Sequence, residues 1–349
     1  MDLESSNSSL LLPRLILYYQ TTHNPDGTPI SVLPLLTKPG IRVTHLIVAA
    51  IHINEDPDAL TLNDHSPSDP RYVTTWAELR IAQASGIRVM GMLGGAAKGS
   101  YARLDRDQAT FERYYAPLHE LIRERGLDGL DLDVEEHMSI AGIIRLIDRL
   151  RANFGSGFLI TLAPVATALV DERRNLSGFD YQALEVAKGD QIAWYNAQFY
   201  NGWGDASNPV LYEMCVACGW KPEKIVVGLV TTPENGFGYV HFGLLRHNVQ
   251  LLQRQFPTFG GVMGWEYFNG EPGGRERPWE WAREMTTIVG PSHADTGVQA
   301  AAPRPVENPS TIEADHEEEG GGQPPPLPGD FAYYSDGSDR ESSGIRKHP

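Results

Sequence analysis

Eight short β-rich runs, each separated from the next by a longer stretch, recur between residues 12 and 291 of this chain. They are RLILYYQ (14–20), THLIVAAIHI (44–53), IRVMGML (87–93), LDGLDLDVE (127–135), FLITLAP (158–164), IAWYNAQFY (192–200), KIVVGLVT (224–231) and GVMGWEYF (261–268). In most of the intervals apolar residues return at helical spacing, as in 72–84, 140–153, 242–255 and 108–125, the last with Phe111, Tyr115, Leu118 and Leu121. Strand patterning followed by helical patterning, repeated eight times, predicts the α/β class and a single (β/α)8 TIM barrel. A doubly wound open sheet would want a glycine-rich phosphate turn after an early strand. Here the first run leads instead into Thr21-Thr22-His23-Asn24-Pro25.

Three segments follow from this reading: a flexible 1–11, a barrel of 12–291 and a tail of 292–349. In the tail the periodicity stops, DHEEEGGGQPPPLPGD is of low complexity, and 11 acidic residues face 4 basic ones. With little apolar area to offset its ordering entropy, the tail is predicted to be disordered. Its PPPLP run reads as a solvated spacer in preference to a docking motif. The formal charge of −16 argues against nucleic acid and against anionic membrane as partners. No run approaches the roughly 18 apolar residues of a membrane span. The start has no basic segment and only Leu10 to Leu12 as an apolar run, so it does not read as a secretory signal. A cytoplasmic protein is therefore expected, with unconventional export as the alternative. Cys215 and Cys218 form a lone CxxC without a second ligand pair. They are expected to be two small buried residues of a helix ending at Gly219, and no metal or cofactor is expected.

Chemistry concentrates in the fourth run. Asp131, Asp133 and Glu135 alternate with Leu130, Leu132 and Val134, so one strand face carries three carboxylates in a row. Neighbouring carboxylates repel and share protons, which raises at least one pKa toward the range a general acid needs. A cation site or a solvated edge strand is the competing reading. In the sixth run Asn196, Gln198 and Tyr200 share a face; in the eighth, Met263, Trp265 and Tyr267 do. The first offers Tyr18 or Tyr19, whose register the sequence leaves open, with Tyr18 assigned to the site. Barrel sites gather at the C-terminal strand ends. Acids, amides, a tyrosine hydroxyl and a tryptophan face together suit a carbohydrate, whose rings offer apolar faces and hydroxyl edges.

DGLDLDVE (128–135) also resembles the DGxDxDxE signature of glycoside hydrolase family 18, the chitinases and endo-β-N-acetylglucosaminidases. LAP (162–164), QFYN (198–201) and MGW (263–265) support the likeness, which extends over nearly all of 12–291. YYQTTH (18–23), VMGMLGGAA (89–97), SGFDYQAL (177–184) and GGVMGWEYFNGEPGG (260–274) resemble the fungal single-domain endo-β-N-acetylglucosaminidases that act on N-glycans. The resemblance implies that Glu135 is the general acid and that Asp133 orients the substrate's own 2-acetamido group for attack. It implies further that Asp131 shares a proton with Asp133, that Tyr200 holds the acetamido carbonyl, and that Trp265 floors the subsite of the cleaved sugar. Gln198, Asn201, Asn196, Tyr18 and Met263 complete the expected substrate-binding set. An N-glycan or chitooligosaccharide is the implied partner, handled by a monomer with a retaining, substrate-assisted mechanism.

Two positions depart from the chitinase pattern. Met92 stands where strand three usually has serine, and cannot donate a hydroxyl hydrogen bond to the inner aspartate. Asn201 follows Tyr200 where many chitinases have aspartate. Three readings thus remain: an endo-β-N-acetylglucosaminidase acting on the N,N′-diacetylchitobiose core, high-mannose forms foremost; an endochitinase; and an inactive lectin-like binder, against which the presence of Glu135 counts. Removal of 292–349 is expected to leave both melting temperature and glycan turnover unchanged; a marked drop in either would mean that the tail docks on the barrel.

Overall fold

The computed structural model describes residues 12–290. The expectations for 1–11 and for the tail fall outside these residues. Eight parallel strands form the centre: β1 (Arg14–Tyr19), β2 (His45–His52), β4 (Arg88–Gly94), β5 (Gly129–Asp133), β6 (Leu159–Leu162), β7 (Trp194–Gln198), β8 (Ile225–Val230) and β9 (Gly261–Trp265). Their order follows the chain, and pairing of β1 with both β2 and β9 closes the cylinder. A two-residue strand, β3 (Thr61–Leu62), adds an antiparallel edge to β2 that the sequence patterning did not announce. Outside the strands lie α1 (Pro34–Thr37), α2 (Val73–Ala84), α3 (Ser100–Leu104), α4 (Gln108–Arg125), α5 (Ile140–Phe154), α6 (Tyr181–Lys188), α7 (Val210–Ala217), α8 (Phe242–Gln255) and α9 (Trp279–Val289).

Because side chains alternate along a strand, the barrel has two separate cores. One lies between strands and helices, built from residues such as Leu17, Leu46, Leu130, Leu132 and Leu229 with Phe111, Leu146 and Ile147 of the helices. The other fills the barrel interior with Ile16, Tyr18, Ile47, Met90, Met92, Trp194, Val226 and Met263. The register ties these inward positions into layers: Ile16 pairs with Met263, Met92 with Asp131, Asp131 with Thr161, and Asn196 with Val226.

Local signals set the boundaries of the longer helices. The Asp107 carboxylate accepts the N–H groups of Ala109 and Thr110 to start α4, which stops at Gly126 with φ +60°. Ser139 caps α5 by accepting the N–H of Gly142, and its own N–H and hydroxyl are donated to the Asp105 carboxylate. The entry to α5, directly after β5, is thereby fixed.

Two sequence expectations are corrected. β9 ends at Trp265, and Tyr267 opens a single helical turn that carries its ring to the outer core. There it meets Tyr19 edge-on at 6.0 Å and donates its hydroxyl to Ser31 O. Tyr267 therefore does not share the face of Met263 and Trp265, because strand alternation fails once the strand ends. In α7, Cys215 is buried, whereas Cys218 lies past the last helical residue and is exposed. Phe111 is fully buried beneath the Arg145 guanidinium, which lies 4.6 Å from its ring. Phe111→Ala should lower unfolding free energy by about 3–5 kcal/mol, read as a lower urea midpoint at unchanged slope.

Candidate active site

β5 presents Asp131 and Asp133 inward, with 0% and 6% of their surfaces exposed, and Glu135 follows half-buried at the barrel mouth. Their surroundings differ by depth. Asp131, the deepest, accepts three hydrogen bonds: from Tyr18 Oη at 2.6 Å, Thr161 Oγ1 at 2.5 Å and Asn196 Nδ2 at 3.0 Å. Burial raises its pKa, and these three donors pull it back by stabilising the charged form. Asp133 has one long contact, 3.4 Å from Gln198 Nε2, and sits between two other carboxyls. Burial, then Glu135, then Asp131 push its pKa well above the usual carboxylate range. Glu135 is also raised by burial, opposed by a 3.2 Å hydrogen bond from Gln198 Nε2 and by the positive charge of Lys98. The upward push is strongest at Asp133, which has the weakest hydrogen-bond donor and a carboxyl on either side, so the ladder favours a proton most at that position.

Gln198 links the ladder to β7. Its amide nitrogen also donates to Ala163 O at 3.1 Å, so three oxygen acceptors surround it and fix the amide orientation. Beneath it, Asn196 receives the Trp194 indole N–H at 2.9 Å and passes its own N–H to Asp131. Tyr18 is the inward tyrosine of β1. Tyr19 faces outward and donates to Ile30 O at 2.6 Å, which settles the register that the sequence left open. Burial and both aspartates raise the Tyr18 pKa, so its hydroxyl remains a donor. Trp265, half-buried, meets the Tyr18 ring at 5.4 Å in an edge-on arrangement. Tyr200 packs in the same interior cluster.

Two of the expected binding residues sit elsewhere. Met263 is buried below the mouth among the inner core residues, where a Cβ on Gly228 would come within 2.5 Å of its Cε. Asn201 has a left-handed backbone (φ +54°), and its side-chain oxygen accepts the N–H of Phe237 at 2.8 Å. It holds a loop in place, which leaves its amide nitrogen as the part that can face a ligand.

Several contributors were not legible in advance. Thr161 replaces the hydroxyl that Met92 cannot supply to Asp131; its parity with Asp131 across β5 and β6 was the available signal. Glu136 accepts the N–H groups of Gly99 and Tyr101, both at 2.8 Å, and so anchors the loop leaving Glu135 against the β4–α3 connection. Gly94 has φ +94°, and a Cβ there would lie 2.4 Å from the Tyr101 ring and 2.5 Å from Asp133 O, so only glycine allows this approach. Glu266, buried beside Trp265, accepts from Thr21 N at 2.7 Å, Thr21 Oγ1 at 2.9 Å and Gln20 N at 3.2 Å. It ties the end of β9 to the end of β1. Among the described residues no group of His, Cys, Asp and Glu is arranged to hold a metal ion, and no helix is long and apolar enough to cross a membrane.

The linkage of Asp133 has a definite sign. Its folded pKa lies above the unfolded value, so the folded state binds the proton more tightly, and stability falls as pH rises from the unfolded pKa through the folded one. Asp133→Asn removes this loss. Its melting temperature should exceed that of the parent at pH 8, with a gap that closes toward pH 3.

Comparisons with known proteins agree with this geometry. A family model described as glycosyl hydrolases family 18 matches residues 14–235. The fold is similar to a fungal endo-β-N-acetylglucosaminidase of that family, with 51% identity, TM-score 0.77, and coverage of 79% of this chain and 98% of the other. It is similar too to the chitinase ChiC from Aspergillus fumigatus, with 54% identity, TM-score 0.72, and coverage of 79% and 99%. Chitinase 2 of Rhizopus oligosporus is 29% identical over 209 residues, 54% of this chain and 36% of that protein. The chain spans only about a third to about a half of the length of such curated relatives.

Proposed function

The chain belongs to glycosyl hydrolase family 18, and from that premise we propose that it is an endo-β-N-acetylglucosaminidase. It cleaves the β-1,4 bond inside the N,N′-diacetylchitobiose core of N-glycans or free oligosaccharides, with high-mannose forms as the preferred substrates. The observation that carries this reading is the carboxylate ladder itself: Asp131 buried and held by three donors, Asp133 above it with one long contact, and Glu135 outermost at the mouth. The extended likeness to a fungal endo-β-N-acetylglucosaminidase supports the choice of substrate.

The chemistry follows from the ladder. Glu135, kept protonated by burial, donates its proton to the glycosidic oxygen as the bond to the anomeric carbon breaks. The carbonyl oxygen of the 2-acetamido group attacks that carbon from the opposite face, forming a cyclic oxazolinium. Asp133 passes its shared proton down to Asp131, accepts the acetamido N–H and, as the carboxylate, supports the developing positive charge. The Tyr200 hydroxyl steadies the acetamido oxygen, and Trp265 floors the sugar. Water, deprotonated by the now anionic Glu135, then opens the oxazolinium and leaves the anomeric configuration retained. No group of the protein becomes covalently attached. The barrel of 12–291 carries this activity, and cytoplasmic action as a monomer remains part of the proposal.

A second reading, an endochitinase, is supported by the comparable likeness to ChiC. Mass spectrometry of a high-mannose glycoprotein separates the two. One N-acetylglucosamine left on asparagine supports the first; an unchanged mass beside turnover of chitin oligomers supports the second. Glu135→Gln should still bind glycan but lose about 100-fold to 10,000-fold of its turnover. The parent's rate should decline on the alkaline side as Glu135 loses its proton. Full activity in that variant, or a product of inverted configuration, would sink the mechanism.

A further inference from the structure

The connection 235–239 follows β8 and joins two parts of the site. At one end, Asn235 Nδ2 donates to Trp265 O at 3.2 Å, Thr231 Oγ1 at 3.0 Å and Asn269 Oδ1 at 2.9 Å, while Asn269 Nδ2 returns a bond to Asn235 Oδ1 at 2.8 Å. In the middle, Phe237 and Asn201 exchange two hydrogen bonds: Asn201 N to Phe237 O and Phe237 N to Asn201 Oδ1, both at 2.8 Å. At the far end, Tyr239 packs, as Trp265 does, against the inner cluster that holds Tyr200. Gly236 and Gly238 allow the close fit. A Cβ on Gly236 would lie 2.5 Å from Asn201 Oδ1, and one on Gly238 would lie 3.4 Å from Tyr200 Cα.

On this clamped segment the Phe237 ring is left 79% exposed. It is the only aromatic among the exposed large hydrophobic residues of the described chain. The others, such as Val73 and Ile81 on α2 or Val186 on α6, are aliphatic side chains scattered on outer helices and need no explanation. A fixed backbone around an uncovered ring differs from a surface residue free to fold away, because the cost of ordering it has already been met. In the chain it stands between two glycines, with Glu234 and Asn235 before them, so no apolar side chain adjoins it in sequence on either side. An exposed flat apolar face on a backbone bonded to the residue after Tyr200 matches a sugar ring, whose axial C–H face is apolar and whose edge carries hydroxyls.

We propose that Phe237 is a specificity-determining platform that stacks on a pyranose ring beyond the one whose bond is cut. The proposal rests on the glycosidase reading and extends it from the cleaved sugar to the rest of the chain. The ring belongs either to the arm on the non-reducing side or to the sugars on the leaving side. Both present the same C–H face, and substrate trimming tells outer-arm rings from those next to the cut.

The test compares the full-length protein with Phe237→Ala and Phe237→Trp on chitotriose, chitohexaose, a high-mannose glycopeptide and the same glycopeptide trimmed to its trimannosyl core. Phe237→Ala should raise KM for the longer substrates about threefold to tenfold relative to the shorter, with kcat retained, and Phe237→Trp should restore the parent's KM. A glycopeptide effect that vanishes on trimming assigns the ring to an outer mannose of the non-reducing arm, and one that survives assigns it to a ring directly next to the cut on either side. An equal KM ratio on every substrate, or a loss confined to kcat, overturns the platform. If the parent hydrolyses none of these substrates, the glycosidase reading falls and takes the platform with it; parent turnover with an unmoved ratio removes the platform alone.

Discussion

Three carboxyl groups on one strand face, turned into a closed barrel, are the constraint to which the rest of the site responds. Each additional buried negative charge is costly, because its hydration is lost and its neighbours repel it. The barrel answers by depth. At the bottom, Asp131 is surrounded by the Tyr18 and Thr161 hydroxyls and the Asn196 amide, which together stand in for water and permit a charge. One position further out, Asp133 has only the distant Gln198 amide, and the proton is the cheaper solution. The difference in hydrogen-bond donors between Asp131 and Asp133 thus becomes a difference in how far burial raises each carboxyl. Met92 fits that arrangement: it is an apolar inner neighbour whose missing hydroxyl is supplied from β6.

Much of this was legible from residue order. Eight strand–helix alternations gave the closed barrel, and the parity of Asp131, Asp133, Glu135, Asn196 and Gln198 gave their common inward face. Parity works only while the strand lasts, which is why Tyr267 was misassigned: β9 stops at Trp265, and a helical turn redirects the next side chains outward. Burial is less readable. Met263 shares the face of Trp265 but lies one layer deeper, and nothing in the sequence indicates how far up the barrel a side chain sits. Supporting residues are the least readable of all. Glu136 and Glu266 look like ordinary surface acids in the sequence. Their roles come from N–H groups on Gly99, Tyr101, Gln20 and Thr21, which are brought near by other strands.

Those two glutamates also explain how a mouth built from loops can hold a fixed geometry. Glu136 pins the segment after Glu135 to the β4–α3 connection, while Glu266 seals the junction between β9 and β1 directly after Trp265. In both cases a carboxylate collects free backbone N–H groups, those at the start of α3 for Glu136 and those just past the end of β1 for Glu266. Such charge-assisted bonds are stronger than neutral ones, and they act on main chain, so they restrict position without filling the cleft. Each member of the outer site is thus flanked by its own anchor: Glu135 by Glu136, Trp265 by Glu266, and Tyr200 by the Asn201–Phe237 pair.

This division of labour separates what the site cuts from what it prefers. Asp131, Asp133, Asn196 and Gln198 sit on strands, with Glu135 and Tyr200 just past the ends of theirs, so the centre of the site is set by the barrel and not by the sugars beyond it. Discrimination has to come from surfaces one or more rings away, and in this barrel those surfaces are loops attached to the strand ends. The 235–239 connection is bonded to both the Trp265 carbonyl and the residue after Tyr200, so a change in its sequence would alter the outer surface while leaving the ladder intact. This chain shares about half of its aligned residues with both a fungal endo-β-N-acetylglucosaminidase and the chitinase ChiC, so the loops that meet the next sugar are where a preference between their substrates has room to be written.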